Sequence, residues 1–261
     1  TDTVWIRDYG PRFIAEDGDR AIVDHVYNRP RPNDNQIPDF IAALWGEASY
    51  DIGIEHGGGN FHLFDDNEAF MSELVVNENP GLTPADIVQR YLEYQGLDLT
   101  ITDPLPSWFD STQHIDMWMI PVADHEIIIG QYDPAAHSQA YTVTETWVTE
   151  LTNRGYTIHR TPGWSSGGTH YTYTNAVVFN DIVFVPSYAG YATENAQAIA
   201  VFEAAFPGKT IIPVDCSSII HSAGAIHCIV MHVPEVEIPE PPLFADGFED
   251  GTMDAWSGVA N

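Results

Sequence analysis

His221-Ser-Ala-Gly-Ala-Ile-His-Cys-Ile-Val-Met-His232 sets a thiol, Cys228, behind the small residues Gly224 and Ala225 and ahead of the apolar run Ile229-Val230-Met231. A small-residue turn that delivers a polar group to the start of a strand is the expected local structure. Four upstream stretches repeat that relation. Arg7-Asp8-Tyr9-Gly10-Pro11 precedes Arg12-Phe13-Ile14, and Gly57-Gly58-Gly59-Asn60 precedes Phe61-His62-Leu63-Phe64. His114-Ile115-Asp116 precedes Met117-Trp118-Met119-Ile120, and Tyr173-Thr174-Asn175 precedes Ala176-Val177-Val178-Phe179. Between Asp8, Asn60, Asp116, Asn175 and Cys228 the intervals are 52, 56, 59 and 53 residues. A period of this size belongs to repeat architectures.

Four helices are expected between the motifs. Residues 38–45 run to Gly46, and residues 84–95 start behind Thr83 as N-cap with Pro84 in the first position and stop at Gly96. Residues 142–154 place Val143, Trp147, Val148 and Leu151 at helical spacing before Gly155, and residues 192–206 end at Pro207-Gly208. Strands follow each helix at 50–54, 97–101, 156–160 and 210–214, with further hairpin strands at 126–131 and 182–186. One helix and a few strands cannot bury an apolar face alone. The copies should therefore pack round a common axis, strands inward and helices outside, with the polar motifs converging at one end. The expected fold class is α/β, built of ββαβ-like repeats. Five motifs against four helices leave the copy holding Asp8 without its helix and leading strand, so the N-terminal repeat reads as truncated.

The 261 residues, 44% of them hydrophobic, suit one large domain over residues 1–233. A net charge of −29, with Lys209 the sole lysine, excludes nucleic acid and anionic membranes as partners and suits either a solubilised surface or a cationic substrate. No apolar run approaches membrane-spanning length. Cys216 and Cys228 are too few for a disulfide scaffold, and Cys216 reads as a buried small hydrophobe. The spacing of His221, His227 and His232 matches no zinc motif, so neither metal nor cofactor is expected. On a strand His227 would point away from Cys228. A Pro/Glu-rich linker is expected over 234–242. The tail 243–261 resembles the short C-terminal tags of exported bacterial proteins, which implies a secreted or cell-envelope location; an acidic disordered tail and a weak calcium site are the alternatives.

Cys228, His114, Asp8 and Asp116 together hold more negative charge than an acyl-transfer site needs. Two carboxylates suit a substrate that is itself a cation with several N–H donors. A guanidinium answers that description, its nitrogens held by carboxylates while its carbon faces sulfur. The expected chemistry is attack by Cys228, protonation of departing ammonia by His114, and hydrolysis of the thiouronium by water that His114 deprotonates. The carboxylates should raise the thiol pKa until the substrate's charge arrives. Gly58 and Asn60 are expected to wall the substrate, where glycine permits close backbone approach or a tight turn. In Tyr27-Asn-Arg-Pro-Arg-Pro-Asn-Asp34 the prolines hold Arg29 and Arg31 ready for an anion, or for Asp34 and Asp39.

Trp5-Ile-Arg-Asp-Tyr-Gly-Pro11, His114-Ile-Asp116 and Ile226-His-Cys-Ile229 resemble the agmatine deiminase and bacterial peptidylarginine deiminase families of the guanidine-modifying (pentein) superfamily. The resemblance covers Asp2 to about Val233 and implies a pseudo-fivefold α/β propeller. It also implies Asn175 as an active-site residue and Trp5 as a wall of the guanidinium pocket. The Tyr27–Asp34 stretch resembles the calcium-independent bacterial peptidylarginine deiminases, in which two arginines receive the carboxylate of a C-terminal arginine. Arg29 and Arg31 would take that role, with peptides or proteins as substrates and peptidyl-citrulline and ammonia as products. The alternatives are an agmatine deiminase giving N-carbamoylputrescine and a non-catalytic binding propeller. Glu55-His56-Gly57-Gly58-Gly59-Asn60 departs from the families' pattern by its extra glycine and its histidine.

Overall fold

A computed structural model describes residues 1–16, 18–64 and 67–235. Four small sheets are built in the same way: an antiparallel hairpin, a crossover helix, and a third strand returning parallel to the second. The first sheet holds β1 (Arg12–Glu16), β2 (Asp19–Tyr27) and β3 (Ala48–His56), and the second β4 (His62–Leu63), β5 (Glu68–Ser72) and β6 (Asp98–Thr102). The third holds β7 (Met119–Ala123), β8 (Glu126–Gln131), β9 (Thr157–Ser166) and β10 (Thr169–Thr172). The fourth holds β11 (Val177–Phe179), β12 (Ile182–Ser187) and β13 (Thr210–Asp215). Crossovers run through the helices Ile37–Trp45, Pro84–Gln95, Ser138–Asn153 and Ala192–Ala205.

The helices lie where capping chemistry puts them. Thr83 accepts from the Asp86 amide while Asp86 returns to the Thr83 amide, a closed capping box, and the same helix stops where Gly96 turns left-handed at φ 67°. Gly46 ends the first crossover helix in the same way at φ 73°. Their apolar faces meet the sheets in three clusters. One gathers Ile87 and Tyr91 with Ile54 and Met71, a second gathers Trp147 and Leu151 with Ile127 and Ile129, and a third gathers Ala198 and Phe202 with Val183 and Val185. The apolar core is thus spread between blades and helices.

The polar motifs form a ring, each hydrogen-bonded to the next. The Gly59 amide donates to Asp8, the Ile115 amide to Asn60 Oδ1, and Thr174 Oγ1 to the Asp116 carbonyl. Asn175 Oδ1 then accepts from the amides of Ala225 and His227, and Arg7 Nε closes the circle on the His227 carbonyl. Five motifs round one axis make the fold a pseudo-fivefold α/β propeller.

Each unit can be read as motif, hairpin, helix, strand; among the described residues no crossover helix and strand precede the Asp8 motif, and no sheet follows the Cys228 motif. One expectation needs correction. Cys228 does not begin a strand. It lies in a 3-10 turn, His227–Ile229, because the amides of Ile229 and Val230 close on Ile226 and His227 while Asn175 takes those of Ala225 and His227. Those four amides are thereby taken from any strand ladder. The linker beyond Glu235 and the tail 243–261 lie outside the described residues. Among the described residues no helix is long and apolar enough to cross a membrane.

Candidate active site

Cys228 and Cys216 both carry free, buried thiols. Cys216 packs in the apolar cluster of the fourth blade, whereas Cys228 faces polar groups. Asn175 Nδ2 stands 3.1 Å from its sulfur, and Asp116 Oδ2 stands 3.6 Å away. Trp5 and the Cys228 sulfur both close on Gly224: a Cβ on that glycine would come within 2.8 Å of the indole and 3.0 Å of the sulfur. The turn thus brings a thiol, an amide and an aromatic wall together.

Asp116 is fully buried, and its two oxygens differ. Oδ2 receives Asn175 Nδ2 at 2.9 Å and His227 Nδ1 at 2.7 Å, besides the thiol. Oδ1 has no partner among the described residues. A buried carboxylate oxygen without a donor is costly, so this edge suits an N–H-rich cation. Across the site Asp8 Oδ1 accepts from the Gly59 amide at 3.1 Å and stands 3.6 Å from His114 Nδ1. His114 Nε2 is likewise buried and unpaired among the described residues.

Gly59 makes room for all of this. A Cβ there would stand 2.7 Å from His114 Nδ1, 2.8 Å from Asp8 Oδ1 and 3.1 Å from Asp116 Oδ2. Gly58, expected to wall the substrate, faces backbone instead: its Cβ would fall 2.1 Å from the Arg7 carbonyl, so this glycine lets two motifs touch. Asn60 is also structural. Its Oδ1 accepts from Ser72 and Ile115 and its Nδ2 donates to the Ser72 carbonyl, which braces the second blade against the third.

Burial pushes the Cys228 thiol well up, and Asp116 and Asp8 add to the rise. Burial also lifts Asp116 to about 7, opposed by His114 and reinforced by Asp8. His227 is driven well below its ordinary value by burial and then by Arg7, so the ring is neutral with its proton assigned to Nδ1, on the Asp116 carboxylate. The resting site is therefore a thiol beside a reluctant carboxylate, and it gains most from an incoming positive charge.

The sequence reasoning missed His227, Gly59 and Arg7. His227 was placed on the far face of a strand, whereas a 3-10 turn swings successive side chains through about a third of a revolution and lets neighbours share one site. Arg7 and Gly59 adjoin Asp8 and Asn60 inside the repeated motifs, and that adjacency is the signal for them in the sequence. Among the described residues no group of three or more His, Cys, Asp or Glu side chains is arranged to hold a metal ion.

Arg29 is exposed, while Arg31 donates Nη1 to the Tyr27 hydroxyl at 2.8 Å. Neither neutralises Asp34 or Asp39, which are held by Thr3 and Ser49. Nearby, Asn28 Nδ2 donates to Glu78 Oε1 at 2.6 Å. Asn28 Oδ1 and Glu78 Oε2 remain buried without partners among the described residues. Gly57 separates this pair from the catalytic groups: its Cβ would lie 3.3 Å from Asn28 Oδ1 and 2.9 Å from His114 Cε1. Burial lifts Glu78 to about 7, with Asn28 and then Arg29 opposing.

The model of the Porphyromonas-type peptidyl-arginine deiminase family matches residues 1–234. A putative agmatine deiminase 2 of Listeria monocytogenes is 26% identical, over 90% of this chain and 75% of that protein. The agmatine deiminase of Pseudomonas aeruginosa is 24% identical over the same shares. Among solved structures, a putative arginine deiminase from Porphyromonas gingivalis superposes with a TM-score of 0.79 at 24% identity, covering 89% of this chain and 75% of that one. The agmatine deiminase of Enterococcus faecalis superposes with a TM-score of 0.75 at 21% identity, covering 86% and 73%. With its propeller and its thiol, imidazole and carboxylates round one axis, the chain belongs to the Porphyromonas-type peptidyl-arginine deiminase family, hydrolases of guanidino carbon–nitrogen bonds.

Proposed function

We propose that the chain hydrolyses the guanidinium of a small alkylguanidine with a cationic far end, agmatine being the type, to a ureido product and ammonia. The observation that carries the substrate is the pair of unpaired buried acceptors, Asn28 Oδ1 and Glu78 Oε2, across Gly57 from His114. Two acceptors, one a carboxylate, suit an ammonium. The agmatine deiminase names of the Listeria and Pseudomonas relatives support the same reading.

In the reaction, Asp116 Oδ1 and Asp8 hold the guanidinium nitrogens and Trp5 covers its face. The arriving charge favours the thiolate, the thiol proton passing to His114, and Cys228 attacks the guanidino carbon to form a C–S bond. The C–N bond breaks, and His114 gives its proton to the leaving ammonia. Water deprotonated by His114 then adds to the thiouronium carbon, the C–S bond breaks, and thiolate and ureido product separate. Asn175, on both the sulfur and Asp116, keeps nucleophile and carboxylate in register.

A second reading, peptidyl-arginine as substrate, draws on the exposed Arg29, which stands close enough to Glu78 to lower its pKa. A C-terminal carboxylate would require Arg29 and Arg31 to act together. The test is ureido-product formation from agmatine and from a peptide ending in arginine, by wild type, Cys228→Ala, Glu78→Gln and the double variant Arg29→Gln/Arg31→Gln. Agmatine turnover with a KM raised about 10- to 100-fold in Glu78→Gln, the loss of one charge-assisted bond, and little changed in the double variant is the expected result. Turnover of the peptide alone, abolished in the double variant, would establish the second reading instead.

A further inference from the structure

On the far side of the catalytic ring the propeller axis opens into a cavity of about 600 Å³. All five inner segments line it, from β1, β4, β7 and β11 to residues 231–234. Its floor is Arg7 and His227, the same residues that close the ring beneath Cys228. Arg12, Lys209, His62 and His232 complete its polar lining. Three of the nine basic residues in the chain, Arg7, Arg12 and Lys209, thus meet in one cavity, and among the described residues that line it there is no Asp or Glu, although the chain has 38 of them.

These cations lack anionic partners in the cavity. Arg7 is 9% exposed and spends its donors on the His227 carbonyl, the Met231 sulfur and His232 Nδ1. Arg12 lies over the Phe61 ring at 3.5 Å and donates to Gln95, and Lys209 donates to the Asn180 carbonyl. Asp8 and Asp116, whose charges favour Arg7, do not line the cavity. A buried guanidinium facing neutral acceptors costs several kcal/mol in desolvation that a counter-anion would offset. Burial, joined at Arg12 by the charge of Arg7, brings both guanidiniums down to about 10, so both remain charged at neutral pH. The three histidines are neutral and add no donor: His232 and His62 give Nε2–H to the Val178 and Met119 carbonyls and His227 gives Nδ1–H to Asp116, so the rings shape the wall and the anion is left to the three cations.

We propose that this axial cavity binds a small oxyanion, held by Arg7, Arg12 and Lys209, on the opposite side of the Cys228 turn from the substrate. The inference does not depend on which guanidine the enzyme takes. The shared chemistry is a compact anion with several acceptor oxygens, tetrahedral or carboxylate.

Calorimetric titration of the full chain with inorganic phosphate, and in parallel with acetate, tests it, sodium chloride keeping ionic strength constant. Saturable one-to-one binding of phosphate, acetate or both is expected for wild type. Cys228→Ala should bind equally well, which separates this cavity from the catalytic side. Arg12→Gln/Lys209→Gln should weaken binding at least tenfold, and Lys209→Gln alone, at a half-exposed position, should weaken it about threefold with an unchanged melting temperature in the absence of anion. Stronger phosphate than acetate binding identifies a tetrahedral ligand, and the reverse a carboxylate. No saturable binding of either anion, or full affinity in Lys209→Gln, would overturn the proposal.

Discussion

Asp116 divides its work between two oxygens, and its behaviour can be tested without substrate. Oδ2 is tied to Asn175 and His227, while Oδ1 has no partner among the described residues. A carboxyl lifted from 3.8 to about 7 in the fold favours the native state when protonated. Between pH 4 and 7 the native state therefore holds a proton that the unfolded chain has lost, and stability falls as pH rises through that window. Asp116→Asn should have no detectable turnover yet be more stable than wild type at pH 8, by up to about 4 kcal/mol, with the gap closing towards pH 4. Thermal melts across that range check the sign. His227→Ala should lower kcat about 10- to 100-fold with little change in KM, because Asp116 loses its shortest donor while Asn175 still holds it. His227→Asn, with an amide near the position of Nδ1, should restore part of the loss, an outcome a merely structural histidine would not give.

At the scale of the element, the glycine-rich turn Gly57–Asn60 shows what periodicity can and cannot reveal. Helices with proline or threonine starts and glycine ends were legible because capping is local chemistry. Strands β2 and β5 were not anticipated. β2 carries acidic and histidine positions among its apolar ones, and β5 is a short apolar run between charges, so neither shows clean alternation. The glycines were legible as a close approach, but which glycine faces the site depends on a 3-10 turn that no side chain announces. The Cys228 turn was misread for a related reason. Its apolar run suits a strand, yet distant Asn175 claims the amides. Gly59→Ala should reduce kcat/KM at least 100-fold, since the methyl would have to displace His114, Asp8 or Asp116, and the helical circular dichroism should remain that of wild type. Gly57→Ala, set against His114 Cε1 and Asn28, should impair agmatine turnover less severely.

The whole molecule is a ring in which sequence-distant motifs meet, and the 52- to 59-residue spacing already announced that ring. The thiol, imidazole and two carboxylates that the fold brings together were legible because each lies in one of the repeated polar motifs, whereas the direction of each unit was not, since a helix-first and a motif-first repeat share one period. A net charge of −29 surrounds the site. If agmatine, a dication, is steered by that field, kcat/KM should fall several-fold between about 0.05 and 0.5 M salt while kcat holds steady, as screening shortens the reach of exposed charge. A neutral-ended guanidine should show a weaker dependence. The central claim is that Cys228 carries the carbon of the guanidinium during turnover. Rapid acid quench of enzyme and agmatine, followed by intact-mass and peptide analysis, addresses it directly. The account predicts a transient adduct on the peptide containing Cys228, heavier by the substrate less one ammonia, and no adduct or product with Cys228→Ala. Ureido product formed at an undiminished rate by Cys228→Ala would contradict it.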